Sequence, residues 1–237
     1  MLLSVITVSF NSVDTIKRCL ESIVPFITDE IEYIVYDGKS VDGTHLILNE
    51  YSQNEQIKWM RYSDDGIYDA WNKALNYIKK GWIIFLGADD FIIKENFVSL
   101  SNMIKGDFLN YDLICSRCTF IDENGNSKFT FGENFDESKI KKYMCVANPS
   151  LLYNTSMFDN NRFCTDYKIC ADYDFLIRKK NLKTFYNPNP ITKMTSGGSS
   201  NSIPAVIETF KIRAGIIPFY LNLYLSFKAV MILFVNK

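Results

Sequence analysis

The chain has 237 residues, which is enough for one large domain or for one domain with an appendage. Hydrophobic residues make up 47% and charged residues 22% of it, as in globular proteins that bury a core without disulfides. The formal net charge is −1, so no global positive field attracts nucleic acid, and we expect no nucleic-acid partner.

Strand and helix patterns alternate through the first hundred residues. Four runs are predicted to be strands: LLSVITVSF at 2–10, IEYIVYD at 31–37, IKWMRY at 57–62 and WIIFLGADD at 82–90. The first is continuously apolar and β-branched, as expected for a strand covered on both faces. Between them we predict three helices. The first is capped by Asn11 or Ser12, the second begins at about Asp42, and the third, IYDAWNKALNYIKKG, stops at Gly81. The first helix has an apolar stripe of Ile16, Cys19, Leu20 and Ile23. This order predicts a parallel sheet with right-handed crossovers.

Polar and acidic residues stand where these strands end, at 9–11, 37–38, 61–65 and 89–90. Ligands of such sheets bind beyond the carboxyl ends of the strands. Asp89 and Asp90 repel each other and need solvent or a cation. Hard cations such as Mg²⁺ and Mn²⁺ prefer oxygen ligands, some of them from substrate phosphates. The pair therefore indicates a cation site at this edge, and the alternative is two solvated acids in a loop.

The pattern becomes mixed after residue 105. We predict strands at 111–121 and 127–131 around the turn DENGN, further strands at PSLLY and LKTFY, and a helix at CADYDFLIRKKN. Residues 188–202, rich in Pro, Gly, Ser and Asn, are predicted to form a mobile loop. The sequence thus predicts one α/β domain over 1–202 with a tail over 203–237.

The tail contains an almost wholly apolar or aromatic segment at 217–235, interrupted by Asn222, Ser226 and Lys228. It is near the lower length limit for crossing a bilayer and carries a charge, so a helix lying in the membrane interface is the favoured interpretation. The alternative is a terminal helix that packs on the domain or mediates dimerisation. The first strand begins without a basic region or cleavage site, so we expect no signal peptide.

The six cysteines lie mostly in apolar surroundings, which is typical of reduced, packed thiols in a cytosolic protein. Cys115 and Cys118 have CxxC spacing, but a strand would direct them to opposite faces, and His45 is the only histidine. We therefore favour packing over a zinc or redox site.

Six segments in the right order resemble the family 2 glycosyltransferases, inverting enzymes with the GT-A fold. They are SVITVSFNSVDTIKRCLESI, YIVYDGKSVDGT, DDGIYDAWNKAL, FLGADD, CADYDFLIR and TSGGSS. The third is similar to a segment of a subgroup that builds colanic acid, O-antigen and capsular polysaccharides. The resemblance covers about residues 2–200. It implies a Rossmann-like, mainly parallel sheet flanked by helices, with a nucleotide-sugar-binding half at 1–105 and an acceptor-binding half at 106–202.

The resemblance also implies roles for residues of the first half. Asp37 matches the acid that contacts the nucleotide base, although an Asx-type turn before Gly38 also explains it. Asp89 matches the last acid of the DxD motif and is the strongest metal-ligand candidate, with Asp90 as a second ligand or ribose contact. Gly87 stands in place of the first acid of the motif, which leaves fewer protein ligands. Other residues expected to bind the nucleotide sugar are Ser9, Asn11, Asp64, Asn72 and Lys73.

In the second half, Asp172 matches the catalytic aspartate, which would take the proton of the acceptor hydroxyl as it attacks the anomeric carbon. Ala171 replaces a glutamate common before this base, and Asp174 is a rival. Both acids are also explained by the preference for Asp in the first turn of a helix. A metal would offset charge on the departing diphosphate. A donor or acceptor loop is expected at Asn148 and at the glycine-rich segment Gly197, Gly198 and Ser199.

The sequence thus predicts a metal-dependent glycosyltransferase of the hexosyltransferase type, using Mn²⁺ or Mg²⁺. The donor is expected to be a UDP-sugar and the acceptor a lipid-diphosphate-linked saccharide of bacterial surface polysaccharide. We expect a cytoplasmic protein, peripheral on the inner face of the cytoplasmic membrane. The alternatives are a catalytically silent nucleotide-sugar binder and a nucleotidyltransferase, for which SFNSVDTIKR lacks the glycine-rich, basic loop. A dinucleotide-dependent oxidoreductase is a third, disfavoured because no G-x-G-x-x-G follows the first strand.

Overall fold

A computed structural model describes residues 3–53, 57–79, 81–105 and 108–235. Nine strands form one sheet. They are β1 Leu3–Ser9, β2 Ile31–Asp37, β3 Lys58–Arg61, β4 Trp82–Gly87, β5 Phe91–Ile92, β6 Leu113–Ile121, β7 Ser127–Phe131, β8 Leu151–Asn154 and β9 Thr184–Thr195.

The first half of the sheet is parallel. The strand order is β3-β2-β1-β4-β8-β6-β9-β5, with β7 paired to β6. Strands β1, β2, β3 and β4 run in one direction, which confirms the predicted parallel β-α-β-α-β-α-β arrangement. Strand β8 then joins β4 and β6 in antiparallel pairing, while β6 and β9 are parallel. The two halves of the chain therefore share one continuous sheet.

Eight helices accompany this sheet in the described residues. They are α1 Ile16–Ile23, α2 Thr44–Gln53, α3 Ile67–Ala74, α4 Lys94–Met103, α5 Glu137–Ile140, α6 Ala171–Ile177, α7 Ile203–Arg213 and α8 Phe219–Val235. Short 3-10 turns lie at Val24–Phe26, Leu75–Tyr77, Phe108–Asn110, Asn148–Ser150 and Thr155–Phe158.

The core is divided by the sheet into two layers. On one face, α1 packs with its predicted stripe of Ile16, Cys19, Leu20 and Ile23 fully buried. On the other face, α3 and α6 meet in an aromatic cluster in which Trp71 lies 4.7 Å from the ring of Phe85. Burial on both faces explains why β1, β2 and β4 are continuous apolar runs rather than alternating ones.

The loop predicted over 188–202 is wrong for its first eight residues, because β9 continues to Thr195. Its pairing with β6 shifts register between Ser116 and Cys118, so Ser116 opposes Asn187 while Arg117 opposes Pro190. A bulge of this kind accommodates prolines, since the amide hydrogen that proline lacks is not needed there. The two-residue strand β5, also missing from the prediction, pairs with β9.

Two predicted helix ends also differ. The main helix α3 ends at Ala74, well before Gly81, and a 3-10 turn follows it. Helix α1 begins at Ile16 without a side-chain cap. Asn11 instead has a positive φ of 50°, a conformation that asparagine tolerates, and its Oδ1 accepts from the Val41 amide at 3.0 Å. Asn11 therefore connects the loop after β1 to the loop after β2.

The tail forms a helical hairpin of α7 and α8, joined by a buried arginine. Arg213 donates to the carbonyl of Lys142 at 2.7 Å and to Ser226 Oγ at 2.9 Å. It therefore connects α8 to α7 and to the segment that follows α5 and contains Lys142, here called the α5 loop. Asn222 Nδ2 donates to the Phe210 carbonyl at 2.9 Å. Within the described ranges, no helix is long and apolar enough to cross a membrane.

Candidate functional site

The carboxyl ends of β1 and β2 are held together by a buried aspartate. Asp37 is fully buried, and its Oδ1 accepts from Ser9 Oγ at 3.2 Å. Its Oδ2 accepts from the Ser40 amide at 3.1 Å and from Arg61 Nε at 3.2 Å. The Ser40 hydroxyl makes a further hydrogen bond to Oδ1. The Asp37 carboxylate is therefore occupied by protein donors, and it holds the segment after Gly38 through the amide and hydroxyl of Ser40.

A first cavity of about 460 Å³ opens beside this turn. It is lined by residues of β1, by Phe10 and Gly38, and by Asp64, Gly66 and Ile67. A Cβ added to Gly38 would lie 2.6 Å from Asp64 Oδ2, so a larger residue there would have to displace the Asp64 carboxylate. Asp64 Oδ1 accepts from the Gly66 amide at 3.0 Å. Burial raises the pKa of Asp64 above its ordinary value.

A second cavity, of about 380 Å³, adjoins the first at Ile67. It gathers predicted site residues from four distant parts of the chain: Asp89 and Asp90, Asn148, Asp172, and Gly198 with Ser199. Its apolar wall includes Tyr68 and Trp71 of α3. Asp37, Asn72 and Lys73 are not among its lining residues.

Asp89 and Asp90 have different environments. Asp89 is exposed, whereas Asp90 is 5% exposed and has one buried oxygen, Oδ1, without a hydrogen-bond partner. Its Oδ2 accepts from the Gly87 amide at 3.1 Å. Burial, together with the charge of Asp89, raises the pKa of Asp90 to about 8. A positive charge placed beside the pair would offset both effects.

Glycine at position 87 has a structural reason. A Cβ there would lie 2.8 Å from Asp89 Oδ1 and 2.9 Å from Asp90 Oδ2, so a side chain would enter the space between the two carboxylates. In the described part of the chain, no three His, Cys, Asp or Glu side chains are placed to share a metal ion. The donor set is thus two carboxylates, which fits a hard cation whose remaining ligands come from a diphosphate.

Asp172 lies in the first turn of α6 and lines the same cavity as Asp89 and Asp90. Its Oδ1 accepts from Tyr68 Oη at 2.9 Å and from the Tyr173 amide at 2.8 Å. Tyr68 Oη also lies 2.6 Å from the Ile169 carbonyl, so its single proton is shared between two acceptors. Burial raises the pKa of Asp172, and the hydrogen bond from Tyr68 opposes that rise.

We expect Tyr68→Phe to move the acid limb of the pH–rate profile to higher pH. The sequence predicts Asp172 as the catalytic base, and a base acts when it is ionised, so we expect activity to rise as pH passes upward through the folded-state pKa of Asp172. Removing the hydroxyl removes a bond that favours the ionised form, and the pKa rises further. The measurement is turnover against pH beside wild type. An unmoved or lowered acid limb would show that Tyr68 does not support the base.

The rival acid and two helix residues have other partners. Asp174 forms an ion pair with Arg178 at 2.7 Å and does not line the cavity. Asn72 bonds both the amide and the carbonyl of Phe163, at 3.0 and 2.9 Å. Lys73 pairs with Asp69 at 2.7 Å. The structure therefore brings Asp172 to the cavity and places the other three in contacts within the protein.

The loops at the cavity rim also have defined contacts. Asn148 begins a 3-10 turn, and its Oδ1 accepts from Tyr153 Oη at 2.7 Å. Gly197 has a φ of +100°, which favours glycine. A Cβ at Gly198 would meet nothing within 4 Å, and Ser199 accepts from Ser202 Oγ at 2.6 Å. The glycine-rich segment thus leads from the cavity rim directly into α7.

Glu208, in α7, was not predicted to have a role. Its carboxylate accepts from three successive backbone amides, those of Lys168 at 2.8 Å and of Ile169 and Cys170 at 2.9 Å. These amides precede α6, so Glu208 holds the loop that presents Asp172. No local pattern reveals this, because the partners are about 40 residues apart in sequence.

We expect Glu208→Ala to lower turnover about tenfold or more, because three backbone amides of the loop before Asp172 lose their acceptor. The same loss should lower the free energy of unfolding by about 1–3 kcal/mol. If the nucleotide occupies the first cavity, as the sequence predicts for Ser9 and Asp64, UDP affinity should not change, because the substitution leaves that cavity untouched. Glu208→Gln should recover part of the turnover, because its amide oxygen still accepts. Equal losses in UDP affinity and turnover would show a general structural defect rather than misplacement of Asp172.

The sequence that builds this site also matches a known protein family. Residues 4–185 match the family model described as Glycosyl transferase family 2. Because the match covers most of the chain, the protein belongs to glycosyl transferase family 2.

Curated relatives carry glycosyltransferase names. The PGL/p-HBAD biosynthesis glycosyltransferase of Mycobacterium tuberculosis is 26% identical over 212 residues, covering 84% of this chain and 79% of that protein. The poly(ribitol-phosphate) beta-glucosyltransferase of Bacillus spizizenii is 27% identical over 184 residues, covering 74% of this chain and 29% of that protein. These names do not confirm the narrower resemblance to the colanic acid, O-antigen and capsule subgroup.

Solved structures confirm the GT-A-like fold, a curled central sheet with flanking helices. S. aureus TarS in complex with UDP-GlcNAc aligns with a TM-score of 0.72 at 20% identity, covering 97% of this chain and 72% of that one. The mannosyltransferase PcManGT of Pyrobaculum calidifontis, in complex with GDP-Man and Mn²⁺, aligns with a TM-score of 0.64 at 14% identity. It covers 99% of this chain and 75% of that one.

Proposed function

We propose that this protein is an inverting glycosyltransferase that moves a sugar from a UDP-sugar to a lipid-diphosphate-linked saccharide of bacterial surface polysaccharide. The observation that carries the proposal is the second cavity. It brings together the acid pair Asp89 and Asp90 and the separate acid Asp172, whose pKa is raised, and it adjoins the first cavity, which we assign to the nucleoside. The acid pair and Asp172 come from different elements of the fold, and we assign each a different task.

The nucleotide would occupy the first cavity. Phe10 is 66% exposed there and offers a ring face for a base. Asp64 has a carboxylate oxygen beside Gly38, directed at the same space. Asp37 is buried and accepts from Ser9, Ser40 and Arg61. We therefore assign the carboxylate that hydrogen-bonds the nucleotide base to Asp64, and a structural role after β2 to Asp37.

The diphosphate would lie between the cavities, next to Asp89 and Asp90. The orphaned Asp90 Oδ1 and the open space beside Gly87 fit a Mn²⁺ or Mg²⁺ ion shared with the phosphates. Such an ion, when bound, offsets the charge that develops on the leaving diphosphate. Arg18 supports the motif from outside the cavity, because its guanidinium donates to the Asp89 carbonyl at 2.9 Å.

Asp172 would accept the proton of the acceptor hydroxyl. As that oxygen forms its bond to the anomeric carbon, the bond from that carbon to the diphosphate oxygen breaks, and the proton passes to the carboxylate. Tyr68 and the Tyr173 amide fix the orientation of Oδ1 and leave Oδ2 for the acceptor. Asn148 and the segment Gly197–Ser199 form the rim through which donor or acceptor enters.

The acceptor class rests on two supports. The apolar C-terminal segment fits a lipid-linked acceptor at the inner face of the cytoplasmic membrane. Two bacterial relatives are named as glycosyltransferases, one of PGL/p-HBAD biosynthesis and one that acts on poly(ribitol-phosphate). O-antigen, capsule and exopolysaccharide are the polymers we propose for this chain.

UDP release tests the proposal. Purified protein is incubated with a panel of UDP-sugars and with Mn²⁺, Mg²⁺ or EDTA, and slow donor hydrolysis without acceptor is measured. Metal-dependent release from one donor supports the proposal and names the sugar. If no UDP-sugar is hydrolysed and UDP does not bind with any metal, the donor-site assignment is wrong.

A further inference from the structure

Helix α8 turns its polar side chains inward and its apolar side chains outward. Asn222 and Ser226, one turn apart, are 2% and 9% exposed and contact α7. The opposite face carries four aromatic side chains that are 61–74% exposed: Tyr220, Tyr224, Phe227 and Phe234. A helix on a protein surface ordinarily has the reverse arrangement. We call this exposed stripe the α8 face.

The orientation is fixed by contacts rather than left open. Arg213, itself 5% exposed, reaches Ser226 on α8 and the Lys142 carbonyl on the α5 loop. Rotating α8 to bury its aromatic rings would break this hydrogen bond and that of Asn222 and leave buried polar groups unpaired. A contiguous exposed apolar surface of this kind marks a binding site.

The charges around the α8 face identify the partner. After Glu208 the sequence contains no Asp or Glu, and Lys211 and Lys228 are exposed. Lys141 and Lys142 are also exposed, and the contact of Arg213 with Lys142 places them beside the hairpin. An apolar stripe with Lys228 beside it, in a segment that has lysines and no acids, is complementary to a bilayer with anionic headgroups.

We propose that the α8 face binds an anionic lipid bilayer, with α8 lying in the plane of the interface. At about 100° per residue, Lys228 lies roughly a quarter turn from the centre of the aromatic stripe, so its ammonium group would reach the headgroups while the rings enter the acyl region. In an interface between two copies, Lys228 would be covered without an acidic partner from this segment. This inference extends the proposed function and rests on it for the lipid-linked acceptor.

The hairpin also connects this surface to the catalytic cavity. Helix α7 follows the rim segment Gly198–Ser199, and its Glu208 holds the loop before Asp172. Eleven helical residues span only about 16 Å. A membrane-bound α8 would therefore hold the cavity rim near the bilayer surface, where the saccharide of a lipid-linked acceptor projects.

Co-sedimentation of the full chain with vesicles tests the proposal. The vesicles are phosphatidylcholine, with and without phosphatidylglycerol. We compare wild type with Tyr224→Ser/Phe227→Ser on the α8 face and with the matched control Leu46→Ser/Tyr77→Ser, whose side chains are 66% and 50% exposed elsewhere. Thermal unfolding and UDP binding of each protein show that it is folded.

Wild type and the control are expected to bind vesicles containing phosphatidylglycerol, and Tyr224→Ser/Phe227→Ser to bind more than about tenfold more weakly. Lys228→Glu should reduce the preference for the anionic vesicles. The proposal is overturned if wild type does not sediment with vesicles, if both double variants bind equally, or if the α8 face instead supports a dimer that the variant disrupts. Vesicle binding needs neither donor nor cation, so its failure is distinguishable from failure of the proposed reaction.

Discussion

Replacing Asp172 by asparagine is expected to lower turnover by about 10²–10⁴-fold while UDP affinity stays at the wild-type value. The amide cannot take the proton of the acceptor hydroxyl, and Asp172 is outside the first cavity, where the nucleotide would bind. The fold should be retained, because the asparagine oxygen can still accept from Tyr68 and from the Tyr173 amide. The measurement is sugar transfer or UDP release at saturating donor, with UDP affinity from calorimetry.

Asp174→Asn is the matched control for this variant. It makes the same chemical change in the same first turn, but at a carboxylate that pairs with Arg178. We expect turnover close to wild type. A large loss at Asp174 with little loss at Asp172 would reverse the assignment of the base. A catalytically silent binder would show no turnover in any of the three proteins.

Asp89→Ala is expected to reduce metal-dependent UDP release by about 10²–10³-fold, because the charge on the departing diphosphate would lose its counterion. Adding more Mn²⁺ should restore little activity, since Asp90 alone has to hold the ion. Asp29→Ala is the control, because this exposed acid precedes β2 at the opposite end of the sheet. Release from Asp89→Ala that equals wild type at every Mn²⁺ concentration would remove Asp89 from the site.

The parallel half of the fold was predictable because its signals are local. Strands buried on both faces are continuous apolar runs, and the stripe of α1 repeats at helical spacing. The continuation of β9 was not predictable, since Pro188 and Pro190 are ordinarily loop residues. They are tolerated only because the register with β6 shifts beside them. That shift depends on another strand about 70 residues away in sequence.

The site was predictable where a motif carries it and not where tertiary contacts do. Asp89, Asp90 and Asp172 were identified in sequence, and the structure brings them to one cavity. The salt bridge of Arg61 that occupies Asp37, and the support of the base loop by Glu208, could not be predicted. Both contacts join positions that are distant in sequence. The pattern of strand ends places Arg61 and Asp37 at one edge of the sheet but does not predict their salt bridge, and no pattern marks Glu208.

The most direct test of the divided site is UDP binding measured by calorimetry, with Mn²⁺, for wild type, Asp172→Asn and Asp89→Ala side by side. We predict that wild type and Asp172→Asn bind UDP with the same affinity and that both lose most of it in EDTA. Asp89→Ala should bind as weakly with Mn²⁺ as wild type does without it. If Asp172→Asn binds as poorly as Asp89→Ala, or if Asp89→Ala binds like wild type, the assignment of separate roles to Asp89, at the diphosphate, and to Asp172, as the base, is wrong.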